Sequence, residues 1–116
     1  MTVAVAWTRG PEGDAALARA AEEARLRETS LLVLGGPPAA VLEALTVPVV
    51  LEELADDDRR DLAERAIDAS YEDEVELLAV GVRRRSPVGK LLSGDLAQHI
   101  LLEAHCSVLA VKPPVG

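Results

Sequence analysis

Five short apolar runs recur along the chain: "VAVAW" (Val3–Trp7), "SLLVL" (Ser30–Leu34), "VPVVL" (Val47–Leu51), "VELLAV" (Val75–Val80) and "SVLAVK" (Ser107–Lys112). Each has the length of a strand and is too short for a core helix. Their side chains are apolar on both sides of the pleat, Glu76 being the exception in the fourth run. Such strands must be covered on both faces, which is the habit of parallel sheets. The segments between them carry helical spacing. In "PEGDAALARAAEEAR", Leu17, Ala20, Ala21 and Ala24 fall at i, i+3, i+4 and i+7. Pro11 suits a first helical position, Glu12 and Asp14 the positive end of the dipole, and Arg25 and Arg27 the last turn. "DDDRRDLAERAIDAS" (Asp56–Ser70) aligns Leu62, Ala66 and Ala69. A last helix from Asp95 to about His105 sends Leu96, Ala97, Ile100, Leu101 and Ala104 inward. Strands alternating with helices at this spacing imply βαβ units, right-handed crossovers and an α/β fold on a parallel sheet. Pro48 has no N–H to give a ladder, which puts the third strand at a sheet edge.

The 116 residues suit one domain over 1–116. With one Trp, one Tyr and no Phe, the core has to be aliphatic. The net charge of −8 argues against a nucleic-acid or anionic-membrane surface, because both need cations to neutralise phosphates. No apolar run reaches the roughly 18 residues of a membrane span. The first residues lack a basic leader region and read as a strand. Cys106 is the single cysteine and cannot close an internal disulfide. Together these features lead us to expect a cytoplasmic protein.

One loop stands out against the acidic background. "GVRRRSPVGKLLSGD" (Gly81–Asp95) carries Arg83, Arg84, Arg85 and Lys90 within eight positions, with Gly89 inside it. It is not a Walker loop, since Leu91 follows Lys90 where Ser or Thr is required. The stretch "LLAVGVRRRSPVGKLLSGDLAQHILLEAHCSVLAVKP" (Leu77–Pro113), supported by "PEGDAALARAAEEARLRETSLLVL" (Pro11–Leu34), resembles the universal stress protein family. The resemblance implies a five-stranded parallel sheet in order 3-2-1-4-5 with helices on both faces. It also implies a homodimer, formed through the last strand. Some members of the family bind ATP and others do not.

Nucleotide-binding members share a motif of Gly, two residues, Gly, nine residues, Gly, then Ser or Thr. Gly81 and Gly94 match its first and last glycines. Arg84 stands in place of the second glycine, Asp95 in place of Ser or Thr, and Thr8 where such members carry an Asp after the first strand. In this fold the ligand crevice lies beyond the carboxyl ends of strands one and four, where the strand order reverses. The last helix aims its N-terminus there, which favours an anion. Asp95 works against this. As an N-cap with Gln98 three residues on, it takes the N–H groups a phosphate would use. Its charge, about 4 Å from a phosphate, opposes binding by roughly 4 kcal/mol at an effective dielectric near 20, less where solvent screens it. The alternative is that Arg83–Arg85 and Lys90 offset this charge and hold ATP or AMP.

Other candidates have plainer readings. Trp7 could stack on a base, but a lone Trp ending a strand more often fills a core. His99 and His105 are six apart, off the i, i+4 spacing of a metal pair. Cys106 reads as a small hydrophobe, and Asp56–Asp58 as a helix start. No catalytic constellation is visible.

The middle of the chain is short. "GGPPAAVLEAL" allows one or two turns, about Ala39 to Leu45, where the family has a full helix. The resemblance puts that helix on the sheet face of the first one. Val41, Leu42 and Leu45 are expected to cover strands two and three, leaving apolar surface near Val47, Val49, Val50 and Leu51 for a protein partner. The sequence therefore reads as a non-catalytic stress-response binding or interaction module with weakened or lost ATP binding and no cofactor. The alternative is an ATP or AMP sensor using Thr8, Gly81, Arg83, Arg84, Arg85, Gly89, Lys90, Gly94 and Asp95.

Overall fold

The computed structural model describes residues 1–54, 59–83 and 96–114. Five strands, β1 (Thr2–Ala6), β2 (Ser30–Leu34), β3 (Val49–Glu52), β4 (Val75–Gly81) and β5 (Ser107–Val111), form one sheet in the order β3-β2-β1-β4-β5. All four pairings are parallel. The helices are α1 (Pro11–Leu26), α2 (Ala39–Glu43), α3 (Arg59–Ser70) and α4 (Leu96–Glu103). This is the α/β architecture and strand order expected from the sequence.

The alternation within each strand builds two cores. On one face Val3, Val5 and Trp7 meet Ala16, Leu17, Ala20 and Ala24 of α1, with Leu31, Val33, Leu77 and Ala79. On the other, Ala4, Ala6, Leu34, Leu78 and Val80 meet Leu62, Ala63 and Ala66 of α3 and Leu96, Ala97 and Ile100 of α4. Small residues on α1 and α3 let both helices approach the sheet closely, so an aliphatic core needs no Phe. Glu76 has its own device. Between Thr2 and Val3 the register on β4 jumps from Val75 to Leu77, leaving Glu76 as the extra residue. It is half-buried and lies 3.4 Å from Arg27 Nε.

Several boundaries differ from the sequence reading. Strand β3 begins at Val49, so Pro48 precedes it and contributes only a carbonyl, which accepts the Leu31 N–H at 2.8 Å. Helix α2 closes after five residues. Leu42 and Leu45 do pack against the α1-side core, but Val41 is 37% exposed and does not serve as expected. Val47 and Val49 are half-buried, whereas Val50 and Leu51 are 58% and 42% exposed. Leu101 faces solvent rather than the core, because Ile100 and Ala97 already fill the contact with α3 and the sheet. Asp95, expected to open the last helix, lies outside the described residues.

Candidate functional site

The crevice is built where β1 and β4 end. Beyond Ala6 the chain runs through Trp7, Thr8, Arg9 and Gly10 into α1. Gly10, with φ of 124°, takes the left-handed turn that starts the helix and has no side chain to cap it. Trp7 continues the ladder by donating its backbone N–H to the Leu34 carbonyl at 2.9 Å. The residue is 3% exposed and belongs to the core. The indole N–H still needs an acceptor. It finds Asp14 Oδ1 at 3.1 Å, one turn into α1.

The first turn of α1 lies directly on both strand ends. A Cβ placed on Gly13 would meet the Thr8 carbonyl oxygen at 1.6 Å. A Cβ on Gly81 would meet the Glu12 carbonyl oxygen at 2.2 Å. Both glycines are therefore required for helix-to-strand approach. The Glu12 side chain is mostly buried and turns back over Gly10, where an added Cβ would sit 3.3 Å from Oε1. On its other side, Oε1 lies 4.0 Å from Arg83 Nε.

The sequence-predicted residues divide accordingly. Thr8, Gly81 and Arg83 are brought together at the crevice, Thr8 half-buried and Arg83 exposed. Gly81 is occupied with helix packing. Arg84, Arg85, Gly89, Lys90, Gly94 and Asp95 lie outside the described residues. Glu12 and Asp14 were read only as partners of the helix dipole, yet both carboxylates belong to the site. The usable signal was the lone Trp, whose N–H had to find an acceptor nearby.

Of the remaining candidates, His99, His105 and Cys106 follow their plainer readings, and Asp56–Asp58 lie outside the described residues. His99 pairs with Glu103 at 2.8 Å along α4. His105 stacks on Tyr71 at 4.9 Å and donates its backbone N–H to Ser70 Oγ at 2.9 Å. Cys106 is half-buried against the α3–α4 core, and burial pushes its thiol pKa up, away from nucleophilic use at neutral pH. Among the described residues, no group of three His, Cys, Asp or Glu side chains could hold a metal ion.

Comparison with known proteins agrees with this architecture. The profile of the universal stress protein family matches residues 43–112. A universal stress protein of Mycolicibacterium smegmatis is 35% identical over 129 residues, spanning 96% of this chain and 97% of that protein. Among solved structures, a universal stress protein from Archaeoglobus fulgidus superimposes with a TM-score of 0.72 at 22% identity, covering 96% of this chain and 97% of its own. The universal stress protein from the same organism in complex with dAMP gives a TM-score of 0.62 at 16% identity, covering 96% of each chain. At these identities the structural likeness speaks for the fold.

Proposed function

The chain belongs to the universal stress protein family, and on that premise we propose that it is a non-catalytic stress-response binding module whose nucleotide affinity is weakened or lost. One observation carries the reading: the first turn of α1 packs on Thr8 and Gly81 at the crevice and sets the Glu12 carboxylate 4.0 Å from Arg83. A phosphate about 4 Å from that carboxylate would be repelled by roughly 4 kcal/mol at an effective dielectric near 20. Screening and the neighbouring Arg83 charge both lower the figure, but even half of it is more than tenfold in affinity. Thr8, Arg84 and Asp95, standing where nucleotide-binding members carry Asp, Gly and Ser or Thr, point the same way.

The module works by contacts with other chains. Self-association would use β5, whose outer edge pairs with no other strand among the described residues. Among the described residues no helix is long and apolar enough to cross a membrane, and we place the protein in the cytoplasm. A second reading, an ATP or AMP sensor, draws support from the dAMP complex of the Archaeoglobus protein of the same fold. It would use Gly81, Arg83–Arg85, Lys90 and the helix start at Gly94.

Calorimetric titration separates the two readings. With ATP and with AMP, the wild-type chain should give little heat, and purified protein should release no nucleotide on denaturation. Asp95→Ser should tighten ATP binding at least tenfold while keeping a good N-cap residue. Equal affinity, or tighter binding by the wild type, would clear Asp95 of excluding phosphate, and tight wild-type binding of ATP or AMP would favour the sensor.

A further inference from the structure

The sheet edge opposite β5 is a second open margin, and, on the reading of the protein as an interaction module, its chemistry selects a class of partner. Among the described residues strand β3 is paired on one side only, and Val50 and Leu51, with Val41 of α2, are exposed. The register fixes what this edge offers. Leu31 N–H donates to the Pro48 carbonyl at 2.8 Å and Gly35 N–H to the Glu52 carbonyl at 3.1 Å, so even-numbered positions face β2. Val49 and Leu51 therefore turn their N–H and C=O groups outward.

Two hollows, one on each face, lie where the strands begin and reach the start of this edge. The first, about 270 Å³, is lined by Leu32, Val50 and Val75 together with Arg65, Glu72 and Glu74. The second, about 330 Å³, is lined by Ala24, Val47 and Pro48 together with Arg25 and Glu28. An added extended strand sends alternate side chains to opposite faces. Such a segment also pairs with the outward groups of Val49 and Leu51, which a helix laid on either face could not do.

Charge selects among extended partners. Glu28, Glu72 and Glu74 line the hollows, Glu52 ends β3, Glu53 follows it and Glu43 closes α2 before it. Arg65 is engaged by Glu52 and Glu72, and Arg25 by Glu22. A second copy of this chain would bring the same acids and its own net charge of −8. Strand β3 is also only four residues, roughly 13 Å, long, a thin seam for two globular subunits. A Lys or Arg side chain instead lays its aliphatic stem on the apolar lining and carries its head to the carboxylates. We propose that the outer edge of β3 takes an extended basic and apolar segment of another protein as an added strand.

The test uses the full chain and two labelled nine-residue peptides, one alternating Lys and Val, the other Glu and Val. The Lys–Val peptide should bind in fluorescence anisotropy, at least tenfold tighter than its acidic counterpart, and more weakly as salt is raised. Amide shifts should centre on Val49 and Leu51. Leu51→Pro removes an outward N–H without touching the bonds to β2, and should weaken binding at least tenfold. If that variant misfolds by circular dichroism, the double variant Glu43→Lys, Glu53→Lys replaces it and should narrow the preference between the peptides at least tenfold. Equal binding of both peptides, shifts centred elsewhere, or conversion to a smaller oligomer by Leu51→Pro would overturn the proposal. Nucleotide binding is read at the other end of the strands, near Trp7 and Gly81. Tight AMP binding would therefore sink the weakened-site reading alone, and an unbound peptide would sink the edge proposal alone.

Discussion

Gly81 and Gly13 hold the start of α1 against the sheet from two sides. At Gly81 an added methyl group would lie 2.2 Å from the Glu12 carbonyl oxygen, which is backbone and cannot swing aside. Gly81→Ala should therefore lower stability by about 1–3 kcal/mol, the range for overpacking a filled site. Urea denaturation would register this as a lower midpoint with unchanged slope, and an unshifted midpoint would mean that α1 does not bear on β4 there. The family resemblance implies a different role for this glycine, the first position of a nucleotide-binding motif. Both roles need a missing Cβ, and no local pattern separates them. The contact joins residues 12 and 81, and only the tertiary placement of α1 decides it. The same reason kept Glu12 out of the expected site, whereas Asp14 could have been inferred from the hydrogen-bonding need of Trp7.

Among the elements, β5 carries the clearest expectation. Val82 N–H donates to the Val111 carbonyl at 2.8 Å, and Ser107 and Leu109 lie opposite Leu77 and Ala79. Odd-numbered positions thus face β4, and Val108 and Ala110 turn their N–H groups outward. Val108→Pro should leave the sheet intact and halve the molecular mass in light scattering, and a mass that stays put would move self-association to another surface. Leu109→Asp is a poorer probe, because Leu109 packs behind α1 and a charge there also costs stability. The strands and long helices were legible because period 2 and period 3.6 are enforced by burial on two faces. The ends were less so. Pro48 looked like strand because its neighbours are β-branched, and Leu101 looked inward because it sits next to Ile100 in an apolar stretch whose facing partners sequence does not reveal.

For the whole molecule, the strand order places the earliest strand at the centre. Strand β1 is paired on both sides and covered on both faces, while β3 is paired on one side and covered poorly on either. The order 3-2-1-4-5 was legible through the family resemblance, since alternation alone implies a parallel sheet without ordering its strands. The brevity of α2 has a consequence in time as well as in space. Opening β3 with α2 breaks one ladder and few apolar contacts, so that margin should open without the rest. Native-state hydrogen exchange should find amides of Val50 and Glu52 exchanging at least a hundredfold faster than those of Val5 and Ala79, with little dependence on added denaturant. Uniform protection across the sheet would contradict this. The domain is then a firm centre with one yielding border, and whatever settles on that border would lengthen the lifetime of the strands beside it. Occupancy would be recorded as stiffness, with the path of the backbone unchanged.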